Sequence, residues 1–238
     1  MENIMNKTYV FGQKNPDTDS IMSSMVMAHL ENQLGNKAVA VRLGNINKET
    51  EYVFKYLGIE EPEFISDIED GQNVILVDHN ESTQSANNLA NANIQKVVDH
   101  HTMNFIAPYQ LYYRAEPVGC TATVLYKMYK EYDVEITKNI ATMMLSAIIS
   151  DTLLFKSPTC TPEDKAIAEK LAKIADVDCE VYGTALLKAG TDLSDYTPEQ
   201  VINIDSKLFE KGGKKFKIAQ VNTADLDSVF KNKVYFEA

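Results

Sequence analysis

The run Val74-Ile75-Leu76-Val77, followed at once by Asp78-His79-Asn80-Glu81, decides the fold. Consecutive apolar residues without alternation suit a strand covered on both faces, the kind found in parallel sheets flanked by helices. Upstream, Thr8–Phe11 and residues 38–41 read as strands, and Val97-Val98 close another downstream. Between them lie helical stretches. Residues 20–34 place Ile21, Met25, Met27 and Ala28 on an apolar face before Gly35; Lys48–Leu57 ends at Gly58; residues 82–92 also read as helix. Long helical patterns cover residues 121–132 and 137–150. This alternation predicts right-handed βαβ units, hence an α/β fold with a mainly parallel sheet and flanking helices.

Beyond Asp151 the pattern changes to a loop at residues 155–161 and helices at 162–174 and 179–189. Residues 206–209 and 216–221 read as a hairpin turning through Lys211, Gly212 and Gly213, with a short helix from Ala224. The expected organisation is a metal-binding domain over residues 1–190, a linker at 191–197 and a partial second α/β domain at 198–238. One hairpin and one helix seldom bury enough surface to stand alone.

Composition narrows the class of function. In 238 residues, 23 basic side chains against 34 acidic ones leave a net charge of −11, with 45% hydrophobic and 24% charged residues, the balance of a folded globular protein. A pI near 4.9 disfavours nucleic acid and anionic membranes as partners. Cys120, Cys160 and Cys179 form no CxxC pair, which fits a reducing compartment and a cytoplasmic location. No apolar run reaches the roughly 18 residues of a membrane span.

Chemistry-bearing residues gather where strands end. Ligands of open α/β sheets collect beyond the carboxyl ends of the strands. The first strand leads into Gln13, Asp17, Asp19 and Ser20, the central run into Asp78, the next into Asp99-His100-His101, and the helix ending near Ser150 delivers Asp151. Taken singly, each has an ordinary explanation: Asp19 or Ser20 as a helix cap, an aspartate after a strand as a turn residue, a histidine pair as a surface doublet. Together they put several like charges in one crevice, which is costly unless cations neutralise them. Carboxylates mixed with imidazole and without cysteine suit Mn²⁺, Co²⁺ or Mg²⁺. Two such cations about 3.5 to 4 Å apart clamp the attacking and leaving oxygens of a phosphoryl transfer. The residues thus read as a two-metal phosphohydrolase.

The ordered set Asn15-Pro16-Asp17-Thr18-Asp19, Asp78-His79-Asn80-Glu81, Asp99-His100-His101, Ser150-Asp151-Thr152 and Phe155-Lys156-Ser157-Pro158-Thr159 resembles the DHH superfamily, specifically the manganese-dependent family II inorganic pyrophosphatases. The resemblance implies hydrolysis of pyrophosphate with Mn²⁺ or Co²⁺, and Mg²⁺ in the substrate complex. It implies Asp17 and Asp78 at one metal, Asp19, Asp78, His100 and Asp151 at the other, and Asp78 between them. It makes His101 a proton donor to the leaving phosphate and Lys207, in Asp205-Ser206-Lys207, a substrate-binding residue. Gly119-Cys120-Thr121-Ala122-Thr123 also matches a family segment, either a helix start capped by Thr121 or a set of N–H groups facing an anion. A homodimer through the N-terminal domain is implied as well, and apolar residues Phe216, Ile218 and Val221 would favour self-association.

Two departures bear on activity. Gln13 stands where the family carries a histidine ligand, and a neutral amide oxygen is the weaker donor for the first metal. The family's Ser-Arg-Lys-Lys-Gln motif is absent; the arginines are Arg42 and Arg114, and Lys214-Lys215 lie in another context. The expectation is a shortened C-terminal domain and weakened turnover. The alternatives are a non-catalytic or truncated metal- and phosphate-binding protein, or a DHH phosphoesterase acting on another small phosphoanhydride; the segment 155–159 argues against the last.

Overall fold

The structure is a computed structural model that describes residues 7–192, 197–201 and 206–219. The chain divides into two compact units, Met1–Leu186 and Leu187–Ala238.

In the first unit, β1 (Thr8–Phe11), β2 (Ala38–Arg42), β3 (Glu63–Phe64), β4 (Asn73–Val77), β5 (Asn93–Asp99) and β6 (Tyr112–Ala115) form one sheet in the order β3-β2-β1-β4-β5-β6. Every pairing in it is parallel. The apolar run from Val74 to Val77 is fully buried, as are Val10, Phe11, Val97 and Val98 beside it. Strands are added outward in one direction from β1 to β3 and in the other from β4 to β6, so β1 and β4 flank the switch point at which α/β sheets bind ligands beyond the strand carboxyl ends. Register then sets the site: Phe11 lies level with Leu76, and Val77 with Val98, so the residues that follow all three strands emerge at one height.

The helices are α1 (Thr18–Gln33), α2 (Lys48–Leu57), α3 (Thr121–Glu131), α4 (Lys138–Thr152), α5 (Pro162–Ala175) and α6 (Cys179–Gly190). Asp17 caps α1 by accepting from the Ser20 N–H at 2.9 Å, so the cap falls two residues before Asp19. The narrow apolar face expected for α1 is in fact a helix buried nearly all round: Met22 and Val26 are wholly enclosed while Met25 is only partly covered. Small Ser20, Ser23 and Ser24 fill the remaining sides, where α1 packs against α3 and α4.

Residues 82–92, expected as helix, form two short 3-10 turns at Ser82–Gln84 and Leu89–Asn91. The stretch is rich in Ser, Thr and Asn, whose side chains compete for the backbone, and Asn88 takes a left-handed φ of 60° that ends any helix. Asn87 is drawn into backbone bonds with Ser66 and Ile68 instead. Strands β3 and β6 had no clear signal; both are short and largely exposed, and they form the two sheet edges.

In the second unit, α7 (Pro198–Val201) precedes an antiparallel hairpin of β7 (Ser206–Lys211) and β8 (Lys214–Ala219). Its two-residue turn, Gly212-Gly213, has φ of 62° and 73°, the left-handed pair that a tight hairpin demands and that glycine adopts freely. Both strands run closer to the turn than the sequence pattern indicates. The helix expected from Ala224, Val221 and the side chains of Phe216 and Ile218 lie outside the described residues, as does the middle of the 191–197 linker.

Candidate metal centre

Beyond β1 the chain must pass close to α1. A Cβ on Gly12 would sit 2.6 Å from both Cβ and Oγ of Ser20, so only glycine fits. That approach puts the Ser20 hydroxyl against Asp78, donating to Oδ2 at 2.6 Å. Asp78 itself, just past β4, holds a left-handed φ of 57° and gives its N–H to Val98 O at 3.0 Å. Its Oδ1 accepts from the Thr121 hydroxyl at 3.2 Å and faces His100 Nε2 at 3.4 Å and His101 Nδ1 at 3.8 Å. Asp19, in the first turn of α1, accepts from the Ser23 hydroxyl at 2.5 Å and from the Thr121 N–H at 2.7 Å.

Of the two readings of the α3 start, the Thr121 cap is not the one the structure shows. Cys120 holds the cap position without a side-chain capping bond, and Thr121 gives its N–H and hydroxyl to two carboxylates. The anion received at this helix terminus is the side chain of Asp19. Burial, reinforced by the charges of Asp19 and Asp151, pushes the Cys120 thiol well up.

His100 carries the decisive geometry. Its Nδ1 donates to Val118 O at 3.0 Å, since a carbonyl can only accept. That bond leaves Nε2 as the free ring nitrogen, buried and without a hydrogen-bond partner, 3.4 Å from Asp78 Oδ1 and 3.7 Å from Asp151 Oδ2. A buried unpaired imidazole nitrogen aimed at two carboxylates is the form a metal-ligating histidine takes, its tautomer fixed by the other nitrogen. Asp19, Asp78, His100 and Asp151 offer one ligand atom each, all within 4.8 Å of one another. This donor set fits a divalent cation of the Mn²⁺ type.

The electrostatics point the same way. Burial, then the charge of Asp19, hold the carboxyls of Asp78 and Asp151 well above the usual range. Burial also raises Asp17, against the pull of the Ser20 N–H. Burial works to lower His100, but the Asp78 carboxylate and the charge of Asp19 outweigh it and lift the ring to about 9. Such a cluster is short of positive charge.

Asp17 and Gln13 stand apart from that group. One Asp17 oxygen caps α1, and the other accepts from Gln13 Nε2 at 3.2 Å, so the amide presents its N–H to the carboxylate. His101 is half exposed, its ring 4.2 Å from that of His100, and its Nδ1 is bonded to Asp99 Oδ1 at 2.9 Å. Asp99 is fully buried and accepts from the N–H groups of His100 and His101 and from Asn80 Nδ2 at 2.6 Å. Burial tends to raise Asp99, but the bonds from His101 and Asn80 prevail and hold it at about 2. Asp99 and Asn80 were visible in their motifs, yet their orienting role was not; it depends on a pairing 19 residues apart. Lys207 lies on β7 in the second unit, opposite Ile218 in register, and Asp205 falls outside the described residues.

The turn after Asp151 is unusual. Leu153, Leu154 and Phe155 all have left-handed φ, of 49°, 52° and 67°, in a region that costs L-residues about 1–2 kcal/mol each. Hydrogen bonds from the Leu153, Leu154 and Ser157 N–H groups to carbonyls of residues 149–152 hold it in place.

Comparison with known proteins gives a consistent picture. A profile of the DHH family, N-terminal domain, matches residues 7–148, and one of the DHHA2 domain matches residues 184–238. The probable manganese-dependent inorganic pyrophosphatase of Staphylococcus epidermidis is 54% identical over 235 residues, covering 98% of this chain and 76% of that protein. The manganese-dependent inorganic pyrophosphatase of Bacillus subtilis is 53% identical over 236 residues, with the same coverage of 98% and 76%. A crystal structure of a putative family II inorganic pyrophosphatase from Methanococcus jannaschii matches with a TM-score of 0.79 at 40% identity, covering 97% of this chain and 76% of that one.

Proposed function

The chain belongs to the manganese-dependent inorganic pyrophosphatases of the DHH family, and from that membership we propose that it hydrolyses pyrophosphate to two phosphates with Mn²⁺, or Co²⁺ in its place. The single observation that carries the reading is the buried, unpaired His100 Nε2 facing Asp78 and Asp151. In this reading Asp19, Asp78, His100 and Asp151 hold one cation, and Gln13, Asp17 and Asp78 hold the other. When bound, the cations supply Lewis-acid polarisation of the phosphoryl oxygens and make water a nucleophile near neutral pH.

The chain's own side chains do the rest. Thr121 and Ser20 fix both oxygens of Asp78, so a shared carboxylate is oriented before any ligand arrives. Asp99 raises the His101 pKa through its bond to Nδ1 and holds the ring in one orientation, so His101 has a proton to give the departing phosphate. Lys207 anchors a pyrophosphate oxygen, with Mg²⁺ accompanying the substrate.

Turnover by these 238 residues is expected to be weak. The Gln13 amide gives an N–H to Asp17, and its oxygen is a weaker donor to Mn²⁺ than an imidazole nitrogen, which disfavours the first metal. Both arginines are engaged elsewhere: Arg42 with Glu61 and the carbonyls of Gly44 and Pro62, Arg114 with Glu116 and Glu131. Phosphate release from pyrophosphate at millimolar Mn²⁺, measured on this chain and on Gln13→His, tests the reading. Turnover that rises at least tenfold in Gln13→His places the deficit at the first metal. Mn²⁺ binding with no turnover in either form would make the chain a metal- and phosphate-binding protein instead.

We further infer a cytoplasmic homodimer that binds neither nucleic acid nor membranes. Three unpaired cysteines favour the reducing location. Among the described residues no helix is long and apolar enough to cross a membrane. Edge strand β6 is open for pairing, with Met103, Ile106, Tyr109 and Tyr112 exposed on or just before it. Sedimentation at micromolar concentration, showing a species of twice the chain mass, is the expected result.

A further inference from the structure

Glu49 lies in the first turn of α2, where an acidic residue is ordinarily explained by the helix dipole. Its carboxylate does something else. Oε2 accepts from the Ser150 hydroxyl at 2.5 Å and faces the Thr18 hydroxyl at 3.4 Å, partners 101 and 31 residues away. Ser150 immediately precedes Asp151, and Thr18 lies between Asp17 and Asp19. One carboxylate oxygen therefore joins the last turn of α4 to the first turn of α1, the two backbone segments that carry Asp151 and Asp19, two of the three clustered aspartates.

The hydroxyls of α4 supply a second, independent observation. Thr142, Ser146 and Thr152 each return to the carbonyl four residues earlier, the usual habit of a helical hydroxyl. Ser150 instead turns outward to Glu49. Asp151 also sits at the negative end of its helix, an unfavourable place for a carboxylate, so something outside the helix must hold that turn. The attachment of α2 is itself firm: Asn47 caps it, and Thr50 is buried against Thr18 at 3.2 Å.

We propose that Glu49 is a positioning residue for the metal centre, clamping Ser150 to Thr18 so that Asp151 stays at ligand distance from Asp19 and Asp78. The inference rests on the reading of that cluster as a metal site. The carboxyl of Glu49 is raised, first by burial, in keeping with a group placed for its contacts rather than for exposed charge.

The test is calorimetric titration of Mn²⁺ into the full chain and into Glu49→Ala, Glu49→Gln and Ser150→Ala, with the melting temperature of each metal-free protein recorded. A group that orients metal ligands is worth about 10- to 100-fold in metal affinity. Glu49→Ala is expected to lose that much, Glu49→Gln to stay within a few-fold because its amide oxygen still accepts from Ser150, and Ser150→Ala to weaken binding in the same direction. The double variant Glu49→Ala/Ser150→Ala should be no worse than Glu49→Ala alone. Affinity in Glu49→Ala within twofold of the parent overturns the proposal, as does an equal loss of affinity in Leu171→Ala, a core variant on α5 that lowers the melting temperature without touching the cluster. If Glu49→Ala does not fold, Ser150→Ala decides, and unchanged affinity there is equally fatal. Failure of the parent to bind Mn²⁺ would instead overturn the metal-centre reading, a separate result.

Discussion

At the scale of single residues, the site is governed by what each buried polar atom lacks. His100 Nε2 has no hydrogen-bond partner and faces the carboxylates of Asp78 and Asp151, while Nδ1 is tied to Val118 O. In the metal-free protein the ring has a pKa of about 9, so at pH 7.5 it holds a proton that a ligating nitrogen must give up. The raised Asp78 and Asp151 carboxyls act in the same sense. Mn²⁺ binding at pH 7.5 should therefore release protons, and its affinity should climb by about tenfold per pH unit for each proton released until pH approaches 9. Titration calorimetry in two buffers of different ionisation enthalpy reads the proton count directly; a count of zero contradicts this account. The members of this cluster are legible in the sequence, because Asp78, His100 and Asp151 each directly follow or end a regular element. The pairing of Gln13 with Asp17 is not, since which residue the amide nitrogen meets depends on how the turn before α1 folds.

Among elements, the organising contact is made by Asp164. It completes the capping box of α5 with Thr161 and is fully buried. From there it also accepts from the Gly119 N–H at 2.9 Å and the Thr123 hydroxyl at 2.6 Å, more than 40 residues away. It thereby ties α5 to the turn that supplies Val118 O to His100 and the Thr121 N–H to Asp19. Removing the carboxylate strands several buried donors at about 1–3 kcal/mol each, so Asp164→Ala should cost about 3 kcal/mol or more in urea unfolding. A loss below about 1 kcal/mol, the worth of an ordinary cap, would reduce Asp164 to a helix cap. The sequence pattern Thr161-Pro162-Glu163-Asp164 announced the cap; nothing local announced the second attachment.

For the whole molecule, the arrangement of carboxylates beyond the carboxyl ends of the strands in a chain of net charge −11 makes stability depend on bound cation. A ligand at a hundredfold excess over its dissociation constant stabilises by about 2.7 kcal/mol, which for a chain of this size is about 5–10 °C in melting temperature. Adding Mn²⁺ should raise the thermal midpoint by that amount and EDTA should reverse it; an unchanged midpoint would show that the carboxylate cluster holds no cation. The sequence by itself determined the α/β class, most elements and their order, and the acidic and histidine residues that follow the strands, because hydrophobic period, caps and glycine stops are local properties. Only the tertiary structure decided that residues 82–92 abandon helix for contacts with Ser66 and Ile68, that β3 and β6 form the sheet edges, and which oxygen meets which donor in the site. The reason is physical: ligand distances follow from strand order and register, and orienting contacts such as Glu49 to Ser150, Asp164 to Gly119 and Thr121 to Asp19 join segments 45 to 102 residues apart, which no local pattern encodes.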